Sequence, residues 1–143
     1  MSTFDLKITK TIPAAPETVF NAWLDPAALA QFMKPMDGMT VPKAESDPRV
    51  GGNFLVVMQA GEQEMPHHGT YKSMDKYKEL SFSWNNPFNE AESLVTLHFA
   101  ETSSGHTELT LHHTELPSEE SRDNHQGGWT RILDALAESS TIA

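Results

Sequence analysis

The C-terminal stretch over residues 118–140 is the longest helical pattern in the chain, and it constrains the fold most strongly. Its large apolar, aromatic and imidazole side chains recur at helical spacing: His125, Trp129, Ile132, Leu133 and Leu136. Polar residues lie between them, which indicates an amphipathic helix with one buried face. Ser118 is a suitable N-cap. The adjacent pair Gly127-Gly128 predicts close approach of another backbone, because each mid-helix glycine costs roughly 1 kcal/mol relative to alanine.

The part of the chain before this helix must supply the apolar surface that the helix covers. The first alternating segment, residues 4–12, predicts a strand. Two short helices follow, over residues 16–24 and 25–31, each with a proline near its start. Alternation then predicts six strands, over residues 39–45, 54–58, 67–75, 80–84, 94–100 and 108–114. Pro42 favours a sheet edge for the first of these.

This order, β-α-α-β-β-β-β-β-β-α, predicts an α+β fold. Short reversals between successive strands imply an antiparallel sheet, and one face of that sheet needs a cover. We therefore expect a curved antiparallel sheet wrapped around the long C-terminal helix, with the two short helices closing one end. Because 143 residues fit one core, we expect a single domain over residues 1–143.

The composition narrows the classes of partner. With 20 acidic and 10 basic residues the formal net charge is −10, which argues against nucleic acid and against stable association with an anionic membrane. The chain has no cysteine, which excludes disulfides, thiolate catalysis and cysteine-ligated zinc. The N-terminus has no secretory signal pattern, and no apolar run reaches the length of a membrane helix. We expect a cytoplasmic protein.

Five motifs occur in an order and at a spacing that resemble a known family. They are residues 13–23 followed by Asp25-Pro26, Asp47-x-Arg49-Val50-Gly51-Gly52, Gly69-x-Tyr71, Leu80-Ser81-Phe82-Ser83-Trp84 and His125-x-x-Gly128-Trp129. Together they resemble the START-like helix-grip superfamily, also called SRPBCC. Within it, the chain is similar to the branch around the C-terminal domain of the co-chaperone that activates the ninety-kilodalton heat-shock-protein ATPase. The resemblance covers nearly the whole chain; Pro48 departs from it, because an aliphatic residue is usual there, and Gly127 doubles the helix glycine.

The resemblance implies a helix-grip fold with a cavity between the sheet and the C-terminal helix. The superfamily contains lipid and hormone carriers, polyketide cyclases and aromatases, and protein-binding co-chaperone domains. Because one fold hosts many functions, the resemblance leaves the reaction or ligand open.

Large side chains that are expected to face inward are the candidate cavity lining. They are Phe20, Trp23, Phe32, Met36, Phe54, Met58, Tyr71, Phe82, Trp84, Leu97, Phe99, Leu111, His113, His125, Trp129 and Leu133. Apolar pockets with a few polar groups are the usual small-molecule sites, whereas the same side chains also fill ordinary cores. The pattern alone does not choose between a lined cavity and a packed interior.

His113 and His125 are the polar candidates on this inward surface. Either can donate a hydrogen bond to a ligand or act as a general base, but a buried neutral imidazole bonded to a backbone carbonyl is the simpler interpretation. The pairs His67-His68 and His112-His113 invite a metal interpretation. Adjacent strand residues point to opposite faces, so neither pair can chelate through both rings. A site with one histidine from each pair would need a third ligand, such as Glu64 or Glu115; we disfavour it and predict no metal site.

No catalytic set emerges from the sequence. Ser81 and Ser83 are expected to face outward, and there is no nucleophile elbow or glycine-rich phosphate loop. Arg49 is expected to fix its turn by bonding to Asp47. We therefore expect no cofactor, and we favour a non-enzymatic role.

Three functions remain open. The leading hypothesis is a binding domain that holds a small, mainly hydrophobic molecule, a lipid or an aromatic metabolite, in the cavity. The second is a protein-interaction or co-chaperone-like module of the heat-shock-protein ATPase activator type, which would use the outer sheet face or the acidic surface. The third, which we favour least, is a cyclase-like enzyme with a histidine in the cavity. Nothing in the sequence chooses between a monomer and a homodimer.

Overall fold

The computed structural model describes residues 4–34, 38–86, 89–116 and 118–138. The helices and strands follow in this order: β1 (Phe4–Ile12), α1 (Pro16–Ala22), α2 (Pro26–Phe32), β2 (Thr40–Ser46), β3 (Asn53–Ala60), β4 (Gln63–Asp75), β5 (Glu79–Asn86), β6 (Asn89–Glu101), β7 (Thr107–Leu116) and α3 (Glu119–Glu138). The predicted α+β order is confirmed. The main difference is length, since β4 and β6 begin well before the predicted starts at residues 67 and 94.

The strands form one antiparallel sheet of seven strands in the order β1-β7-β6-β5-β4-β3-β2. Successive strands from β2 to β7 are therefore hydrogen-bonded neighbours, as the short reversals predicted. The first strand instead pairs with the last, with Lys7 opposite His112 and Lys10 opposite Leu109. The segment that contains α1 and α2 consequently connects the two opposite edges of the sheet.

Irregular pairing accompanies the curvature of the sheet. Register shifts occur between Phe4 and Leu6, in β2, between Tyr71 and Ser73, and at the end of β5. Such bulges bend a strand and increase its twist. The shift in β2 spans Pro42, and β2 is an edge strand, as the missing N–H of proline requires.

The inner face of the sheet is covered by all three helices. Trp129, Ile132, Leu133 and Leu136 of α3 are buried, which confirms the predicted apolar stripe. Helix α3 contacts β1, β7 and α2, while α1 contacts β6 and α2 contacts β2. The caps are as predicted: the Asp25 carboxylate accepts from the Ala27 N–H at 3.0 Å, and the Ser118 hydroxyl accepts from the Ser121 N–H at 3.0 Å.

Two local features differ from the predictions. The predicted close approach is wrong at Gly127, where an added Cβ atom would meet no atom of the described residues within 4 Å. Ser81 and Ser83 alternate with the inward residues as predicted, but they are only 7% and 2% exposed. Both hydroxyls are bonded across to β4, Ser81 with Ser73 at 2.6 Å and Ser83 with the Thr70 N–H at 2.9 Å, so this face is not open at β5.

Candidate functional site

Nearly all of the predicted lining residues are buried between the sheet and the helices. Those with a relative exposure of 6% or less are Phe20, Trp23, Phe32, Phe54, Met58, Tyr71, Phe82, Trp84, Leu97, Phe99, Leu111, His113, Trp129 and Leu133. His125 is half-buried. Met36 lies outside the described residues. Burial of this set agrees with a packed interior and equally with the wall of a binding site.

Four of these side chains form what we call the indole cluster: Trp23, Phe82, Trp84 and Trp129. The ring centroid of Trp129 lies 4.8 Å from that of Trp84 and 6.3 Å from that of Trp23. Phe82 lies 6.3 Å from each of Trp23 and Trp84. The cluster therefore joins the C-terminal end of α1, the strand β5 and the helix α3.

Two members of the indole cluster have a buried polar atom without a partner. The Nε1–H groups of Trp23 and Trp84 are inaccessible to solvent, and neither has a hydrogen-bond partner among the residues that the structure describes. Buried donors are nearly always paired, and each exception calls for an explanation such as a water or a ligand. An indole N–H can only donate. Both positions therefore lack an acceptor atom.

The third indole is held by a directed chain of hydrogen bonds. Trp129 Nε1–H donates to His113 Nδ1 at 3.0 Å, and His113 Nε2 lies 2.7 Å from Ser93 Oγ. Because the indole can only donate, Nδ1 must be the acceptor, and the proton of the neutral imidazole must be on Nε2. The Ser93 hydroxyl then donates to the Trp84 carbonyl at 3.0 Å. This chain ties α3 to β7, β6 and β5.

His113 is therefore not available as the polar handle of a ligand. It is fully buried, and both ring nitrogens already have protein partners. The pKa of His113 is lowered from 6.5 to about 3, mainly by burial and to a smaller extent by the neighbouring imidazoles of His125 and His112. Its environment is that of a structural neutral imidazole, although its partners are side chains rather than the expected backbone carbonyl.

His125 and His67 complete a group of three imidazoles beside the indole cluster. The His125 ring lies 4.9 Å from that of His113, and the His67 ring lies 5.0 Å from that of Trp84. His125 Nδ1 is 2.7 Å from the Ser121 carbonyl, and His67 Nδ1 is 3.0 Å from the Met65 carbonyl. In each ring Nδ1 is therefore the donor, which leaves Nε2 of the neutral imidazole as an acceptor.

Both of these imidazoles are held in the neutral form. Burial lowers the pKa of His67 from 6.5 to about 4, and it also lowers the pKa of His125. The bonds to the two carbonyls oppose this effect, because they favour the protonated ring, but burial is the larger cause. At neutral pH the site presents uncharged groups on this side.

His67 and Ser93 were not predicted as parts of this site. The signal for His67 was available, since it alternates with Gly69 and Tyr71 and so shares their face of β4. Ser93 directly precedes the predicted start of β6, and nothing in its neighbourhood marks it as a partner of His113.

The remaining aromatic residues lie beside the indole cluster or in a separate group. Phe54 is 6.1 Å from Trp84, and Phe32 is 5.0 Å from Trp23. Phe20 instead packs with Phe99 at 5.4 Å and is outside the cluster. The hydroxyl of Tyr71 is 2.9 Å from that of Ser46, and burial raises its pKa.

A pocket of about 340 Å³ lies elsewhere, between α1 and α2. It is lined by Thr18, Asn21, Ala22, Asp25, Ala27, Ala28 and Gln31. None of the predicted lining residues borders it.

Within the described ranges, no group of three or more His, Cys, Asp and Glu side chains is arranged to hold a metal ion. Arg49 bonds to Asp47 at 2.9 Å on the exposed surface, as predicted. No helix in the described part of the chain is long and apolar enough to span a membrane.

Residues 13–140 match the family model described as "Activator of Hsp90 ATPase homolog 1-like protein". No protein in the curated set is similar enough to count as a match. Solved structures are similar over almost the whole chain. One of them is the AHSA1 protein SPO3351 from Silicibacter pomeroyi, which is 30% identical with a TM-score of 0.81, over 95% of this chain and 96% of that one.

Two further structures have the same fold. Protein CV1439 from Chromobacterium violaceum is 26% identical with a TM-score of 0.84, and the alignment covers 94% of this chain and 95% of that one. The AHSA1-like protein from Aeromonas hydrophila is 24% identical with a TM-score of 0.81, over 98% and 96% of the two chains. The match to the family model and the sheet wrapped around α3 agree with the helix-grip superfamily that the sequence motifs resemble.

Proposed function

Because the chain belongs to the activator of Hsp90 ATPase homolog 1-like family, we propose that it is a START-type binding domain. In this proposal residues 1–143 act as one unit and hold a small, mainly hydrophobic molecule, a lipid or an aromatic metabolite, between the sheet and α3. The protein acts by binding and needs no cofactor of its own.

The observation that carries the proposal is the pair of buried indole N–H groups at Trp23 and Trp84, which have no partner among the residues that the structure describes. Leaving a buried donor unpaired costs roughly 1–3 kcal/mol. The two rings share the neighbours Phe82 and Trp129, so both donors belong to one cluster, and in this proposal one ligand accepts from both. Large aromatic side chains with a few polar groups among them are the usual lining of a small-molecule site.

The binding residues follow from the indole cluster. Trp23, Trp84 and Trp129 form its apolar wall, and Tyr71 lies next to Phe82 with ring centroids 6.3 Å apart. His125 serves as the polar handle in place of His113, because the nitrogens of His113 both bond to protein. In this proposal the remaining predicted lining residues, such as Phe99, line the part of the site farther from the indole cluster.

Native mass spectrometry of the freshly purified protein tests the proposal. We expect a native mass above the denatured mass, and the difference would be the mass of the bound molecule. In the variant Trp84→Ala the bound fraction should fall by a larger factor than the free energy of unfolding explains. A bare native mass, with no shift on addition of lipids and aromatic metabolites, would overturn the proposal.

A second candidate function is a protein-interaction module of the ATPase-activator kind. The family description names an activator of the Hsp90 ATPase, and the net charge of −10 suits a basic partner surface. A partner that is retained equally by the wild type and by Trp84→Ala, and lost at high salt, would favour this function. The two candidate functions therefore differ in whether binding depends on the indole cluster.

A further inference from the structure

The chemistry around the indole cluster restricts the ligand, provided that the proposed binding function holds. Trp23 and Trp84 each supply a donor that can bond only to an acceptor. A pure hydrocarbon would leave both donors unpaired in an apolar interior, which is the arrangement that folded proteins avoid. The ligand should therefore carry oxygen atoms, or equivalent acceptors, at its buried end.

The same surroundings disfavour a charged ligand. The buried polar side chains among the described residues are Ser81, Ser83, Ser93, Thr107 and His113, so no lysine, arginine, aspartate or glutamate in the described part of the chain is buried. A carboxylate or an ammonium group would enter without an opposite charge, and burying an unpaired charge is costly.

The three imidazoles do not supply that missing charge. Protonating His113 at Nδ1 would turn its acceptor into a donor that faces the Trp129 N–H. His67 and His125 are held neutral by burial, with Nε2 as an acceptor. They can bond to a hydroxyl of a ligand, but they repel no cation and attract no anion at neutral pH.

We propose that the site selects an uncharged molecule with a carbonyl, ether or hydroxyl oxygen that accepts from the indole N–H groups of Trp84 and Trp23, and that it discriminates against carboxylates and against hydrocarbons. Trp84 and Trp23 are then the specificity-determining residues. His67 lies beside Trp84, with ring centroids 5.0 Å apart, and its Nε2 accepts from a ligand that also has a hydroxyl.

Three probes of equal carbon number test this selection: butyrophenone, butylbenzene and 4-phenylbutyrate. We expect the ketone to bind roughly 5- to 10-fold more tightly than the hydrocarbon, which is the gain of one neutral hydrogen bond. The carboxylate should bind most weakly. The ratio of the ketone and hydrocarbon affinities cancels any general effect of a variant on the fold.

In Trp84→Phe, which removes the N–H and keeps an aromatic ring, this affinity ratio should fall towards one. Tyr77→Phe is the matched control, because it also removes a hydrogen-bond donor from an aromatic side chain, but Tyr77 lies against Phe20, outside the cluster. Its ratio should equal that of the wild type.

A second readout needs no variant in the binding assay. The chain has three tryptophans, so its ¹H–¹⁵N spectrum contains three indole signals. The ketone should shift those of Trp23 and Trp84 downfield, while the signal of Trp129, which already donates to His113, should stay in place. Equal affinity for ketone and hydrocarbon, or tightest binding of the carboxylate, would overturn the selection and leave the binding function standing. If none of the three probes binds, the selection proposal fails, whereas the binding function is decided by the native mass of the purified protein.

Discussion

At the scale of single residues, the adjacent histidines His112 and His113 have opposite environments. His113 is fully buried and bonded through both ring nitrogens, whereas His112 is partly exposed and pairs with Asp5 at 2.9 Å. Alternation along β7 causes this difference, since neighbouring strand residues face opposite sides of the sheet. The two positions therefore allow the same substitution to be compared inside and outside the core.

His113→Phe should lower the free energy of unfolding by roughly 1–3 kcal/mol, because it leaves the buried N–H of Trp129 without an acceptor. His112→Phe removes only a screened surface pair and should change the free energy by less than about 1 kcal/mol. Urea denaturation of both variants measures the difference. Similar decreases in the free energy of unfolding of the two variants would mean that the buried hydrogen bonds of His113 contribute no more to stability than the surface pair of His112.

The sequence identifies individual site residues only where local alternation determines their direction. His113 and His125 were placed correctly on inward stripes because strand and helix periods are local properties. The bond between Ser93 and His113 depends on the pairing of β6 with β7, and pairing register is a property of two distant segments. The absence of acceptors for Trp23 and Trp84 among the described residues could not be predicted either, since it depends on every group that packs around the two rings.

At the scale of secondary structure elements, Gly69 and Gly127 differ in how much space there is for a side chain. A Cβ atom at Gly69 in β4 would collide with the carbonyl oxygen of Ser83 and come within 2.7 Å of the Phe54 ring. A Cβ atom at Gly127 in α3 would meet open space. Gly69 therefore permits β4, β5 and the Phe54 ring to pack closely, whereas Gly127 only weakens its helix.

Gly69→Ala should lower the free energy of unfolding by roughly 2 kcal/mol or more, because backbone and ring must both move. Gly127→Ala should raise it by up to about 1 kcal/mol, the difference in helix propensity. Thermal or denaturant unfolding of the two variants provides the comparison. A loss of stability in Gly127→Ala would show that this face of α3 is covered by something in the folded protein.

The order of the elements was predictable because each strand and helix has its own local sequence pattern. The ends of the elements and the order of strands in the sheet depend on pairing between distant segments. Pro42 correctly placed β2 at an edge, since a residue without an N–H cannot serve two neighbours. The pairing of β1 with β7 has no local signal. The early start of β4 at Gln63 follows from its hairpin with β3, in which Gln63 pairs with Ala60.

At the scale of the whole molecule, three buried or half-buried imidazoles from three elements meet near one interface. His67 is on β4, His113 on β7 and His125 on α3, and each has a pKa below the ordinary value of 6.5. Burial is the largest cause in every case. Packing of α3 against the sheet is therefore linked to the protonation of these rings.

The linkage makes the folded state less stable in acid. In the unfolded chain the histidines take up protons around pH 6.5, whereas in the folded protein His67 resists protonation down to about pH 4 and His113 down to about pH 3. Between these limits the unfolded state binds more protons, so stability is fully present above pH 6.5 and decreases as the pH falls. Each histidine contributes up to about 1.4 kcal/mol per pH unit in that window.

Urea denaturation between pH 7.5 and pH 4.5 tests this expectation, with His113→Phe as the comparison. Acid also reduces the net charge of −10, which relieves repulsion and stabilises the fold, but this effect is common to both proteins. The variant should therefore lose stability less steeply below pH 6.5, by about the contribution of one proton. Parallel pH profiles would mean that His113 takes up its proton over the same pH range in the folded and unfolded protein, which would contradict its lowered pKa and the bond from Trp129 to its Nδ1.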